Sequence, residues 1–238
     1  MSESRALSAG TSVVSAVPWH RALLQRLGYL WWLKAVGTAL FMGAFFVAYL
    51  HLLHFPRYPV TVMPLIAVDR AIGFQPWALV AYASLWVYVA LPPALAPTLA
   101  RLFSYARHMG GLCLAGIVLF VFWPTAVPPA DVDWSLYPGY GLLKGIDAGG
   151  NACPSLHVAT ALYSAIWLAA GFREVGAARW VRGLNWLWCA AIVFSTLATK
   201  QHVMLDVLAG TALALLAAGL SPGLRRAGEG SRARPIAV

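Results

Sequence analysis

Apolar residues in this chain come in long runs, not in the alternation of a half-buried strand or the stripe of a soluble helix. Six runs approach the roughly 20 mostly apolar residues that a membrane-crossing helix needs. They cover about 31–53, 76–97, 110–127, 155–172, 183–199 and 203–221. The second contains Pro92 and Pro93, which predict a kink or an end there. The third stops at Pro124, with Pro128 and Pro129 following. Only the last is interrupted by an acidic residue, Asp206. The pattern predicts an all-α, polytopic membrane bundle of six transmembrane helices, one domain over residues 29–221. Residues 1–28 read as a flexible cytoplasmic segment whose stretch 19–28 lies on the membrane surface as an amphipathic helix. Residues 222–238 read as a basic cytoplasmic tail.

Composition excludes an ordinary soluble domain: 61% of the 238 residues are hydrophobic and 11% charged. Mean hydropathy is +0.71. A net charge of +9 would fit nucleic acid, but the positive residues sit between the apolar runs, where they fit cytoplasmic membrane loops. The expected partners are therefore membrane lipids and not nucleic acid. Cys113, Cys153 and Cys189 form no CxxC pair and no Cys/His ligand spacing, so neither a zinc site nor a disulfide framework is expected. The first 28 residues lack the apolar core of a signal peptide, so the first run is expected to remain as a span.

Lys and Arg orient the chain. Arg5, Arg21, Arg26 and Lys34 precede or open the first run, and Arg101 and Arg107 follow the second. Arg173, Arg179 and Arg182 follow the fourth, and Arg225, Arg226, Arg232 and Arg234 lie in the tail. Only Arg57, Arg70, Lys144 and Lys200 fall on the other side, together with Asp69, Asp131, Asp133 and Asp147. Both termini are thus expected on the cytoplasmic side of a cell membrane, of bacterial inner-membrane type by its alanine-rich, short-looped composition. The connection 125–153 is the longest, and connections of that length in compact proteins are often functional.

Two stretches put ionisable residues at the edges of apolar runs, where they are costly and mark a site by default. They are Asn151-Ala-Cys-Pro-Ser-Leu-His157 and Ser195-Thr-Leu-Ala-Thr-Lys-Gln-His-Val-Met-Leu-Asp206. His202 and Asp206 are four apart, which on a helix places them on one face. His157 opens the fourth run and His202 the sixth, and the intervening down-and-up hairpin returns the chain to the same outer level. Both helix N-termini then face outward, and their free N–H groups favour an anion. Arg70 and Lys200 lie on that side. Pro154 fits the first helical position, and Ser155 can offer a hydroxyl or N–H.

Such a set suits a phosphate ester or diphosphate. Asp206 would fix the tautomer of His202, whose other nitrogen attacks phosphorus, and His157 would protonate the leaving oxygen. No carboxylate pair for Mg²⁺ accompanies them, so no metal and no cofactor is expected. Each residue has a structural alternative: His202–Asp206 as an inter-helix tie, Ser155 and Lys200 as caps, Arg70 snorkelling to headgroups. A different functional class also fits paired His and Asp in a bundle, namely a small proton-coupled transporter or flippase. A third reading makes His157, His202 and Asp206 metal ligands, without the HExxH pair of the common zinc hydrolases.

Pro154-Ser155-Leu156-His157 resembles the PSxH motif of the type 2 phosphatidic acid phosphatase superfamily, and Ser195 to Asp206 resembles its SRxxxxxHxxxD motif. Thr196 stands where the family has arginine, and the family's KxxxxxxRP motif is absent in that form. NxxPSLHVA, STLxTKQHxxxDxxAG and Asp69-Arg70-Ala-Ile-Gly-Phe-Gln-Pro76-Trp77 resemble the inositolphosphotransferase-like branch, which includes inositol phosphorylceramide synthases. The resemblance covers roughly residues 60–215. It implies a helical-bundle core, a phosphohistidine mechanism without metal, and a lipid phosphate or diphosphate substrate. The implied catalytic residues are His157, His202 and Asp206. Ser155 is a candidate substrate contact, and Arg70 and Lys200, by side and charge, are candidate replacements for the missing cations. Water or an alcohol, such as the alcohol group of a lipid, is left open as acceptor.

Overall fold

In the computed structural model, residues 17–137, 139–140 and 149–224 are described. Arg5, Lys144, Asp147 and the four tail arginines counted above lie outside the described residues. Each of the six apolar runs is helical. After a short helix α1 (Trp19–Gly28) come α2 (Trp31–His54), α3 (Ala67–Ala71), α4 (Ala78–Ala83), α5 (Leu85–Ala94) and α6 (Leu99–Phe122). Then follow α7 (Leu156–Glu174), α8 (Arg179–Ala198) and α9 (Met204–Gly219). By length and composition α2, α6 and α8 can cross a membrane, while 78–94 and α9 are shorter apolar stretches.

Three boundaries differ from the sequence reading. The third run starts at Leu99, not near 110, so Arg101 and Arg107 lie inside α6 rather than in a loop. Thr98 caps that start by accepting the Arg101 N–H, and Arg101 finds a carboxylate partner in Glu174. The second run is interrupted at Ser84, whereas Pro92 and Pro93 lie within the last turn of α5. The Ser84 hydroxyl donates to the Ala81 carbonyl at 2.7 Å, a side-chain competitor for the backbone ladder. Finally, Pro154 precedes the cap of α7 instead of opening the helix, because Ser155 takes the N-cap position and its Oγ accepts the Val158 N–H at 3.3 Å. The Cys153–Pro154 peptide is cis.

α7 is the centre of the bundle, packed against α5, α6, α8 and α9. Its small residues Ala159, Ala161, Ala165 and Ala169 are buried and let neighbouring backbones approach, the usual way helices associate where lipid removes the hydrophobic drive. Tyr105, Met109, Leu112, Phe120, Tyr163 and Trp167 fill the space between α6 and α7. Trp31, Trp32, Trp77, Trp123, Trp180, Trp186 and Trp188 stay exposed at the surface. At Gly210 of α9 a built Cβ would collide with the Ser155 carbonyl, so only glycine allows that crossing.

Successive long segments alternate in direction, so two ends can be distinguished. At one end, a two-residue strand β1 (Thr61–Val62) after α2 pairs in parallel with β2 (Thr125–Ala126) after α6. There Gln75 N–H bonds the Ala198 carbonyl and Ser155 N–H the Asp206 carbonyl, at 2.9 and 3.0 Å. At the other end Glu174 receives both Arg26, at 3.3 Å, and Arg101. Lys34 is buried there and donates to the carbonyls of Arg26 and Ala94 at 2.6 and 3.0 Å.

Candidate active site

His157 and His202 meet at the first of these ends, with ring centroids 5.8 Å apart. His157 is the second residue of α7. His202 stands just before α9 and not on it, a correction to the idea that one helix face carries it with Asp206. The reason is local: Asp206 Oδ2 accepts the Val203 N–H at 3.0 Å, which sets the helix start after His202. The pair forms nonetheless. His202 Nδ1 lies 3.4 Å from Asp206 Oδ2, close enough for charge to act, though its direction does not make it a hydrogen bond. Both side chains are nearly sealed, at 5% and 0% exposure, so bulk water does not screen the carboxylate from the imidazole.

The turn carrying His202 is fixed from two sides. Its backbone N–H and that of Gln201 both bond the Thr196 carbonyl at the end of α8. From the chain's first half, Asp69 is buried, with Oδ2 on the Ile66 N–H (2.9 Å) and Oδ1 on the Met204 N–H (2.7 Å). Lys200 has left-handed backbone (φ 58°) and donates its ammonium to the carbonyls of Asp69 (3.1 Å) and Ile72. Segment 66–75 is thus bonded to the α8–α9 turn at several points.

Of the sequence candidates, His157, His202 and Asp206 come together. Ser155 is beside them but buried, its Oγ accepting from Val158 and its N–H on the Asp206 carbonyl. Lys200 has two of its three donors on carbonyls. Arg70 is exposed, its backbone N–H on the Ile66 carbonyl at 3.3 Å and its side chain in no hydrogen bond or ion pair found among the described residues. Thr196, at the position of the family's arginine, is buried and bonds the Val193 carbonyl at 2.8 Å. No group of three or more His, Cys, Asp or Glu suited to a metal ion occurs among the described residues.

The sequence reading missed the aromatic clamp on His157. Tyr82 stacks on its ring at 4.3 Å and 21°, and Trp86 meets it edge-on at 5.4 Å. Their four-residue spacing was the available signal, hidden among many other aromatics. It also missed Cys153. Burial, with the neighbouring Asp206 carboxylate, pushes that thiol up to about 11.

Both histidines line one end of a cavity of about 450 Å³ between α2, α5, α6 and α7, walled mainly by aromatic and aliphatic side chains. The Nε2 of His157 has no hydrogen-bond partner there. Two imidazoles at one end of the cavity and a carboxylate behind one of them can transfer a group between nucleophiles, and the apolar wall favours a substrate with hydrocarbon attached.

Residues 122–227 match the family model of the PAP2 superfamily. That stretch contains Ser155, His157, Lys200, His202 and Asp206 but not Arg70. No curated protein and no solved structure matches the chain. The family match supports a membrane-associated enzyme of phosphatase or phosphotransferase type that acts on lipid phosphates.

Proposed function

We propose that the protein removes or transfers the phosphoryl group of a lipid-linked phosphate or diphosphate at the outer face of a cell membrane, through a phosphohistidine on His202. The observation that carries this reading is the convergence of His157 and His202 at one end of a mainly apolar cavity. With Nδ1 turned toward Asp206, His202 keeps Nε2 for attack. Attack forms the N–P bond and breaks the P–O bond to the lipid. His157 gives its proton to the departing lipid oxygen. His157 then takes a proton from water or an alcohol, whose oxygen attacks phosphorus and expels His202. The products are the lipid alcohol, or lipid monophosphate from a diphosphate, and either orthophosphate or a new phosphate ester.

The N-terminus of α7 and the charges of Arg70 and Lys200, carried at the same end, would offset the oxyanions of the phosphoryl group. Ser155 would act through the cap that holds this N-terminus. Phosphate release from a panel of lipid phosphates, in detergent with chelator present, tests the reading. Release abolished by His202→Ala in a folded protein is expected; undiminished release in that variant would sink the mechanism. Including inositol or another alcohol separates the acceptors. A new phosphomonoester of that alcohol in place of orthophosphate would assign transfer, as the resemblance to the inositolphosphotransferase-like branch expects.

A further inference from the structure

The same cavity extends far beyond the chemistry. Its outer end is bounded by His157 and His202, its inner end by Lys34, Gly37 and Ala106. Lys34 and Tyr49 both line it and lie fifteen residues apart on α2, a rise of about 22 Å. One leaflet contributes only about 15 Å of hydrocarbon, half of the bilayer core. The cavity therefore runs past the depth of one leaflet.

Its wall offers hydrocarbon even where the residues are polar. The Lys34 ammonium is held by the carbonyls of Arg26 and Ala94. The Thr160 hydroxyl bonds the Leu156 carbonyl and the Asn151 amide the Tyr49 carbonyl, at 2.8 and 3.0 Å. The Tyr105 hydroxyl donates to the Val89 carbonyl at 3.2 Å. With these groups engaged, the histidines form the polar end and everything inward of them favours an alkyl chain.

Resting on the phosphatase or phosphotransferase reading, we propose that the cavity is a chain-length gauge: it receives one extended hydrocarbon tail of the phosphorylated lipid, and Gly37 and Ala106 set the depth at which the tail stops. Gly37 is suited to that role because a Cβ added there meets nothing within 4 Å, leaving its cross-section to the ligand.

The experiment compares octyl, dodecyl and octadecyl phosphate as substrates of the full chain in detergent, each below its own micelle concentration. Gly37→Trp and Ala106→Trp fill the inner end from opposite helices. Gly43→Trp is the control, on the same α2 with equally open space at its Cβ but away from the cavity. Wild type and the control should favour octadecyl phosphate. Either inner-end variant should lower kcat/KM for octadecyl roughly tenfold while leaving octyl unchanged. Retention of radiolabelled octadecyl phosphate, which needs no turnover, is measured in parallel. Hydrolysis with the same chain-length profile in wild type and both inner-end variants would overturn the gauge and keep the enzyme. Retention lost in those variants, with no phosphate released by wild type, would keep the gauge and remove the enzyme.

Discussion

The carboxylate of Asp69 accepts the backbone N–H of Met204 at 2.7 Å, two residues after His202 and 135 positions away in sequence. A buried carboxylate with both oxygens on backbone N–H groups is a rigid anchor. It joins the first half of the chain to the turn on which the proposed nucleophile sits. Asp69→Ala leaves the Met204 N–H without its acceptor and lets that turn drift. A displacement of that kind lowers kcat by about tenfold to a hundredfold with KM changed little. Initial-rate kinetics on one lipid phosphate check this; an unchanged kcat would show that the turn holds without its anchor.

Lys200 and Arg70 separate by the same kinetics. Arg70 is exposed, so Arg70→Ala is expected to raise KM about tenfold and leave the fold intact. Lys200 ties the same segment as Asp69, so Lys200→Ala is expected to lower kcat as well as raise KM. Combining Lys200→Ala with Asp69→Ala should cost less than the two separate losses together, because neighbours that share partners are not additive. Full additivity would mean that Lys200 acts only on the substrate.

His157 is asked for a proton only when the leaving group needs one. His157→Ala should therefore reduce turnover of an alkyl phosphate by about a hundredfold to ten-thousandfold. An aryl phosphate with a nitrophenolate leaving group should lose much less in the first step. Equal losses on both substrates would assign His157 to packing beneath Tyr82.

Gly210 faces the Ser155 carbonyl, which is backbone and has nowhere to go. Gly210→Val should destabilise the folded protein by roughly 1–3 kcal/mol, the usual range for overpacking. Thermal unfolding in detergent reads this as a lowered Tm, and Gly219→Val, with open space at its Cβ, should leave Tm almost unchanged.

The Cys153 thiol, raised to about 11 by burial and by Asp206, is only about one part in a thousand thiolate at pH 8. A raised thiol pKa keeps the neutral form below it, so reactivity grows only as pH climbs toward 11. Maleimide at pH 8 should leave Cys153 unlabelled in the native protein and label it after denaturation. Native labelling would show the thiol is reachable from the site.

What the sequence made legible was local. Run lengths located the helices, and spacing placed His157 and His202 at the corresponding starts of two helices that run the same way, because a span has a fixed length and the chain must return through α8. The start of α6 was not legible, since Arg101 looks like a loop residue until Glu174, 73 positions later, supplies a partner. The roles of Asp69 and Tyr82 were hidden for the same reason. A carboxylate that caps a distant helix and an aromatic that clamps a distant imidazole have meaning only after the fold brings them there.

His202 stands on a turn and Asp206 within the helix that follows. A residue inside a helix inherits its place from the ladder around it, whereas a turn residue is placed by whatever grips the turn. The 3.4 Å between the two side chains is thus a joint between separate mechanical parts, not a rung of one. Winding or sliding α9 by a fraction of a turn would strain that joint, because Asp206 also holds the N–H of Val203 beside His202. The readiness of His202 would then be adjustable from α9, at a distance from any bound lipid.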